Sequence, residues 1–524
     1  MAPITSTGLG FSRLLISAGI LASTTLADTY TYPVKSINLD SAASPVYYSA
    51  FRPDQMSIGR TVDPHAVHGT EIAPSTVLLS GKGQQSESSS TTDAFAVALS
   101  SSTGAKSWSW TSAHDGNDAA NAATVLPASG EVLVAGWREV SGVGCRSVTK
   151  LSATGTEAYT AVAFGDSSGA HGAFEMVKAF GDDVFLSGLK DKNDLEEMSF
   201  KSYGNVPSGT AVVTRFASSA FGSSAPAAGD AVWTKDFSGY ASAKTVEEVG
   251  TDKLAVLLYA EESEKHAAIV VLNRADGSTV WGPTDYGNVH GEGTDLAVVG
   301  NDIFIIGHGG SGGELSGRAT KVASADGQVS WTKSFSVGGN TQLIYNECWG
   351  VSANSDGSGL IASCGAGIET CDGTTGQTRT DCLAGNGDPR TGAYNRGAGN
   401  WYSYVVKIGT SDGTVAWQRV DSYKAPGGPA MSSSSFDPSS SAAEWVFGMS
   451  SGNIAIVTDE VFGVGLLVLD PSNSGGGGGA TSTSAPTPAP DNVDGDNGAS
   501  STLTATALGF LSFVIAAVSA IIIV

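Results

Sequence analysis

Residue types that do chemistry are sparse in this chain and scattered along it. There are seven histidines. His171 and His290 each stand 17 residues ahead of the glycine that ends a short apolar run, Gly188 and Gly307. His68 and His114 hold similar places, 13 and 22 residues ahead of Gly81 and Gly136. Asp115, Glu292 and Asp295 lie near these histidines in the chain. Neutral imidazole beside carboxylate is a ligand set for zinc or copper, so His171 and His290 are the metal-site candidates. The offsets of the four histidines differ, and repeat units far apart in a ring would hold their loops too distant to share one ion; no resident cofactor is expected. No Gly-x-Ser-x-Gly elbow, phosphate-binding glycine loop or His-Glu-x-x-His helix occurs, so no catalytic residue is assigned. Asp491, Asp494 and Asp496 lack the spacing of a calcium loop.

A second group is richer. The stretch from Ala366 to Asn400 carries Asp388, Arg390, Tyr394 and Arg396, and runs into Trp401-Tyr402. Aromatic and guanidinium side chains dominate recognition surfaces, so Arg390, Tyr394, Arg396, Trp401 and Tyr402 are the candidate ligand-binding residues, for glycan or protein. A solvated decoration is the competing reading. Cys348 and Cys364 lie symmetrically about Asp356 in the turn Asn354-Ser355-Asp356-Gly357-Ser358, so a hairpin there sets the two sulfurs opposite each other. Cys371 and Cys382 would close the Gly/Thr-rich stretch between them. In an oxidising compartment disulfides are the default. Zinc would need four closely spaced ligands, and no histidine lies here. Cys145 is left over.

The elements that must position these residues repeat. Val77-Leu78-Leu79-Ser80-Gly81, Val132-Leu133-Val134-Ala135-Gly136, Val184-Phe185-Leu186-Ser187-Gly188 and Ile303-Phe304-Ile305-Ile306-Gly307 are four copies of one apolar strand ending in glycine. Looser copies occur at Leu254–Tyr259, Leu360–Cys364 and Ile454–Val457. A second strand follows each, then a glycine turn and usually an aromatic: Trp110, Tyr159, Trp233, Trp281, Trp331, Trp417. Asp276-Gly277, Asp326-Gly327 and Asp412-Gly413 predict type I′ hairpins. Long steps in the aromatic series carry the insertions Ala217–Asp230 and Ala366–Asn400. Four-stranded units of 40–50 residues spell an all-β chain folded as a β-propeller. Seven four-stranded blades fit best, with six or eight as the alternatives. The last strand, Gly465–Leu469, lacks an outer partner, which Val46–Phe51 could supply to close the ring.

The strings Gly116-Asn117-Asp118-Ala119-Ala120 and Gly130 to Gly136, with Asp93 to Leu99, Gly104 and Trp108, resemble the bacterial-type β-propeller repeat of the wider quinoprotein-dehydrogenase-like group. The resemblance spans residues 61–470 as a pattern and implies architecture rather than activity. Quinone enzymes of that group often set adjacent cysteines against the quinone. No two cysteines are adjacent here, which counts against a quinone.

The ends read as addresses. Residues 1–27 hold Arg13, an apolar run and small residues, the layout of a secretory signal. Residues 28–60 precede the propeller, placed at 61–470. Residues 471–506 form a Gly/Ser/Thr/Pro stalk open to O-glycosylation; Asn-x-Ser/Thr sequons are absent. Residues 507–524 are an apolar tail. With the small triplet Asn497-Gly498-Ala499 upstream and no basic residue after it, the tail resembles a GPI-anchor signal with lipid attached at Asn497. A transmembrane helix is the alternative. The formal charge of −23 excludes nucleic acid as a partner. These features predict a plasma-membrane-anchored, cell-surface propeller that binds extracellular protein or glycan. The alternative is an extracellular enzyme, quinoprotein-like or carbohydrate-active, with its site at the central channel.

Overall fold

A computed structural model describes residues 35–36, 44–51, 65–83, 91–162, 164, 169–192, 209–260, 266–310, 315–337, 343–354, 357–368, 401–422, 441–460 and 463–471. Two strands come first, β1 (Lys35–Ser36) and β2 (Ser44–Phe51). Blade one is β3 (His65–Ala73), β4 (Thr76–Gly83), β5 (Asp93–Ser100) and β6 (Lys106–Thr111). Blade two is β7 (Asp118–Val125), β8 (Val132–Val140), β9 (Val143–Leu151) and β10 (Glu157–Val162). Blade three is β11 (His171–Phe180), β12 (Asp183–Lys192), β13 (Thr210–Ala217) and β14 (Trp233–Phe237). Blade four is β15 (Tyr240–Val249), β16 (Lys253–Ala260), β17 (Ala267–Asn273) and β18 (Thr279–Asp285). Blade five is β19 (Glu292–Val299), β20 (Asp302–Gly309), β21 (Ser316–Ala323) and β22 (Val329–Phe335). Blade six is β23 (Leu343–Ala353), β24 (Gly359–Ile368), β25 (Trp401–Gly409) and β26 (Val415–Ser422). Blade seven has β27 (Ser441–Gly448), β28 (Ile454–Glu460) and β29 (Gly463–Asp470).

Seven antiparallel sheets result, and the chain is a seven-bladed β-propeller. The inner strands β3, β7, β11, β15, β19, β23 and β27 touch in sequence, and β27 returns to β3. β2 pairs with β29 as the outer strand of blade seven, so the N-terminal strand closes the ring as expected. β1 adds a fifth strand to blade six through Lys35↔Ser422 and Ser36↔Asp421; this pairing has no counterpart in the sequence reading. Second and third strands are buried on both faces, which is why they read as unbroken apolar runs. Outer strands are wetter: most of β18 is exposed.

The repeated glycine has a steric cause. In all seven inner strands the register slips by one residue, leaving Val67, Asn121, Glu175, Lys244, Thr294, Trp349 and Glu444 as bulges. The pair just before each bulge is Ala66↔Gly81, Ala120↔Gly136, Phe174↔Gly188 and Gly293↔Gly307 in four blades. A Cβ on any of these four second-strand glycines would fall 1.8–2.1 Å from an inner-strand carbonyl oxygen. In blade six the same pair is Cys348↔Cys364, and it is the disulfide. The two Cα atoms are 3.9 Å apart, on the side of the closer, non-hydrogen-bonded type of pair.

The Asp-Gly hairpins form, but not as type I′ turns. Gly277, Gly327 and Gly413 have positive φ while Asp276, Asp326 and Asp412 do not. Each aspartate instead accepts the N–H two residues on, from Ser278, Gln328 or Thr414, at 2.9–3.1 Å, an Asx-type turn. Both central residues have positive φ at Ser141-Gly142, between β8 and β9. The glycine turns between third and fourth strands receive the aromatics of the preceding blade. Trp108, Trp233, Trp281 and Trp331 lie against Gly155, Gly277, Gly327 and Gly413. Three of them also donate Nε1–H across the junction, to the carbonyls of Ala153, Arg274 and Ser324. Tyr47 of the closing strand does the same at blade one, donating to the carbonyls of Ser100 and Ser101. These four tryptophans are half-buried docking groups rather than core.

Candidate functional site

Strand alternation divides the propeller's connections between two faces. Links from one blade to the next, and from second to third strand, emerge on one face; the hairpins of Asp-Gly type emerge on the other. The strand ends that flank the four long intervals 52–64, 193–209, 369–400 and 423–440 lie on the first face; the intervals themselves fall almost wholly outside the described residues. The opposite face carries short turns and one longer segment, 218–232, which contains the 3₁₀ turns Ser218–Phe221 and Ala228–Asp230. Long connections on a rigid scaffold are where binding residues collect. Trp401 and Tyr402 open β25 on that first face, paired with Gly367 and Ala366. Arg390, Tyr394 and Arg396 belong to the segment entering there but lie outside the described residues, as do Cys371, Cys382 and Asn497.

Ionisable groups line the inner strands, and most couple one blade to the next. Glu175 and Lys244, bulge residues of blades three and four, stand 3.4 Å apart and fully buried. The Lys244 ammonium also lies 5.0 Å from the ring centre of Tyr259. Tyr259 donates to Glu292 at 2.9 Å, and Glu292 faces His308 Nε2 at 3.3 Å. Burial, with Glu292 beside it, pushes the Tyr259 phenol far above its usual range. Asn121 donates to the Phe174 carbonyl at 2.8 Å, Thr294 to the Cys348 carbonyl at 2.7 Å. Asp295 accepts from Val351 N–H at 2.9 Å. Asp118 accepts from Ala94 N–H and Ser112; burial raises its pKa, and these bonds with Arg138 restrain the rise. Buried carboxylates and amines with partners of this kind are structural cross-links.

The two metal candidates are not brought together. His171 opens β11 in blade three and accepts Gly144 N–H on Nδ1 at 2.8 Å. His290 precedes β19 in blade five, and its Nδ1 meets Thr320 Oγ1 at 2.9 Å. Burial, then Arg318 and His308, lower the His290 pKa to about 3, so its ring is neutral. His68 accepts Ala123 N–H and packs against Trp445.

The group that does converge was not singled out from sequence. His65 at the start of β3, Glu444 at the bulge of β27 and Asp459 near the end of β28 meet where blade one joins blade seven. Among the described residues it is the one set of three or more such ligands. His65 Nε2 lies 3.6 Å from Glu444 Oε1 and 3.7 Å from Asp459 Oδ2. Burial pulls the His65 pKa down, but the two carboxylates overcome this, against Lys82, and raise it to about 9. Lys82, opposite His65 in the ladder, is lowered to about 7 by burial. The signal was topological: a strand start in the first blade and a second-strand end in the last share one face, and ring closure makes those blades neighbours.

No family model matches the chain, and no curated protein matches it. Among solved structures it is similar to a 6-phosphogluconolactonase-like protein from Bacteroides uniformis, at 13% identity over 76% of this chain and 96% of that one, TM-score 0.39. It is similar to Chaetomium thermophilum Sqt1, solved with the N-terminus of ribosomal protein L10, at 11% identity over 80% and 98%, TM-score 0.37. A europium-containing methanol dehydrogenase matches at 10% identity over 85% and 92%, TM-score 0.39. These likenesses assign no function; the seven-bladed architecture rests on the strand pairing itself.

Proposed function

We propose that the chain is a binding module, a propeller displayed at the cell surface that recognises an extracellular glycan or protein through the face bearing segments 193–209, 369–400 and 423–440. The observation that carries this reading is that the strand ends flanking the longest connections share one face, while the charged groups of the inner strands engage one another. The Arg390, Tyr394 and Arg396 side chains, next to Trp401-Tyr402, supply the guanidinium and aromatic chemistry such a surface needs. The secretory layout of 1–27, the stalk of 471–506 and the tail of 507–524 with Asn497 support display on the outer leaflet. The same resemblance to the bacterial-type repeat suits a passive binder as well as an enzyme.

The test uses full-length protein on glycan and surface-protein arrays. Arg390→Ala/Tyr394→Ala/Arg396→Ala should lower binding at least tenfold, and Thr410→Ala on the opposite face should leave it unchanged. Equal loss in both, or unchanged binding in the triple variant, would refute recognition through this face.

A further inference from the structure

We propose that His65, Glu444 and Asp459 bind one divalent first-row transition ion of the zinc class, held across the seam where blade one meets blade seven. The three ligand atoms lie within 4.8 Å of one another, with His65 Nε2 at 3.6 and 3.7 Å from the two carboxylate oxygens. Ligands at zinc's bond lengths of 2.0–2.2 Å sit about 3.3 Å apart in a tetrahedron. The two His65 distances must close by a few tenths of an ångström and the two carboxylates by at most about 1.5 Å, movements within the reach of side-chain rotation.

Burial adds a second constraint: the Glu444 side chain is only 8% exposed, and its carboxylate is ion-paired with the His65 imidazole at 3.6 Å. Two carboxylates share that one imidazole, so a dication that displaced its proton would balance both charges. Lys82 opposes a cation there, but two carboxylates outweigh one amine. His65 and Asp459 are 28% and 32% exposed, so the ion has an entry path and a water can complete its shell. Three protein ligands with an open position is the arrangement of accessible zinc sites. One imidazole nitrogen with two carboxylate oxygens favours zinc, cobalt(II) or manganese over copper(I). The two inner strands so joined, β3 and β27, are the first and last of the ring.

The full-length chain, stripped with chelator, is titrated with Zn²⁺ by calorimetry and with Co²⁺ by visible absorption. One ion per chain is expected, with a cobalt d–d band and a zinc-induced rise in melting temperature. His65→Gln and Asp459→Asn should each weaken binding by about a hundredfold or more and abolish both signals. Circular dichroism checks that each variant is folded. If His65→Gln fails to fold, the more exposed Asp459→Asn decides. A wild-type chain that retains no ion, or folded variants that bind as wild type does, would overturn the site.

Discussion

Gly307→Ala tests the link between the sequence repeat and the bulged inner strand. An ideal Cβ at Gly307 falls 1.8 Å from the Glu292 carbonyl oxygen, 2.9 Å from its carbon and 3.0 Å from the Gly293 Cα. All three are backbone atoms, so no rotamer change relieves the clash and the two strands must part. The pair that parts is Gly293↔Gly307, next to the bulge at Thr294, whose hydroxyl bonds the Cys348 carbonyl of blade six. Overpacking of this kind costs about 1–3 kcal/mol, and a weakened ladder or inter-blade hydrogen bond adds about 1 kcal/mol. The expected loss is about 2–4 kcal/mol. Urea unfolding followed by tryptophan fluorescence reads it as a lowered midpoint. Gly229→Ala, where a Cβ meets nothing within 4 Å, serves as the control and should stay within about 0.5 kcal/mol of wild type. A Gly307→Ala midpoint equal to that control would refute the steric account of the repeat.

Two further expectations concern stability. Replacing both Cys348 and Cys364 by alanine removes a cross-link over a sequence separation of 16, worth about 3 kcal/mol by loop closure; reducing agent should lower the wild-type midpoint equally and leave the variant unmoved. His290, with a folded pKa near 3 against 6.5, takes up its proton only on unfolding. Its contribution is therefore intact above pH 6.5 and lost as pH falls toward 3, at about 1.4 kcal/mol per pH unit. His290→Gln should flatten the melting temperature profile between pH 6.5 and 4, and an unchanged slope would contradict the neutral buried ring.

The fold was legible because its constraints are local and recur. Each Gly81-type glycine marks one close approach, in four blades, and each Asp-Gly one left-handed turn residue, in three; the apolar strand itself recurs seven times, once for each blade. Closure by Val46–Phe51 followed from an unpaired last strand. The two-residue β1 carries too little pattern to be seen. The turn type was misjudged because the Asp-Gly dipeptide alone does not fix loop length: positive φ at glycine only, with the aspartate side chain bonding onward, suits the longer loop found here. The metal candidates were chosen by offset from a strand end, yet His171 and His290 meet different partners in blades three and five. His65, Glu444 and Asp459 are separated by most of the chain and share no spacing rule. They become neighbours only through ring closure, which a one-dimensional pattern does not encode.

The binding-module reading depends on display at the cell surface, and one measurement addresses that directly. Intact cells expressing the chain are treated with a phosphatidylinositol-specific phospholipase, and the released protein is weighed by mass spectrometry. Release of a chain beginning at Asp28 and ending at Asn497, which bears the glycan remnant of the anchor while the diacylglycerol stays in the membrane, is the expected result. Retention on the cells with residues 507–524 still present, or a chain that never reaches the surface, would contradict it.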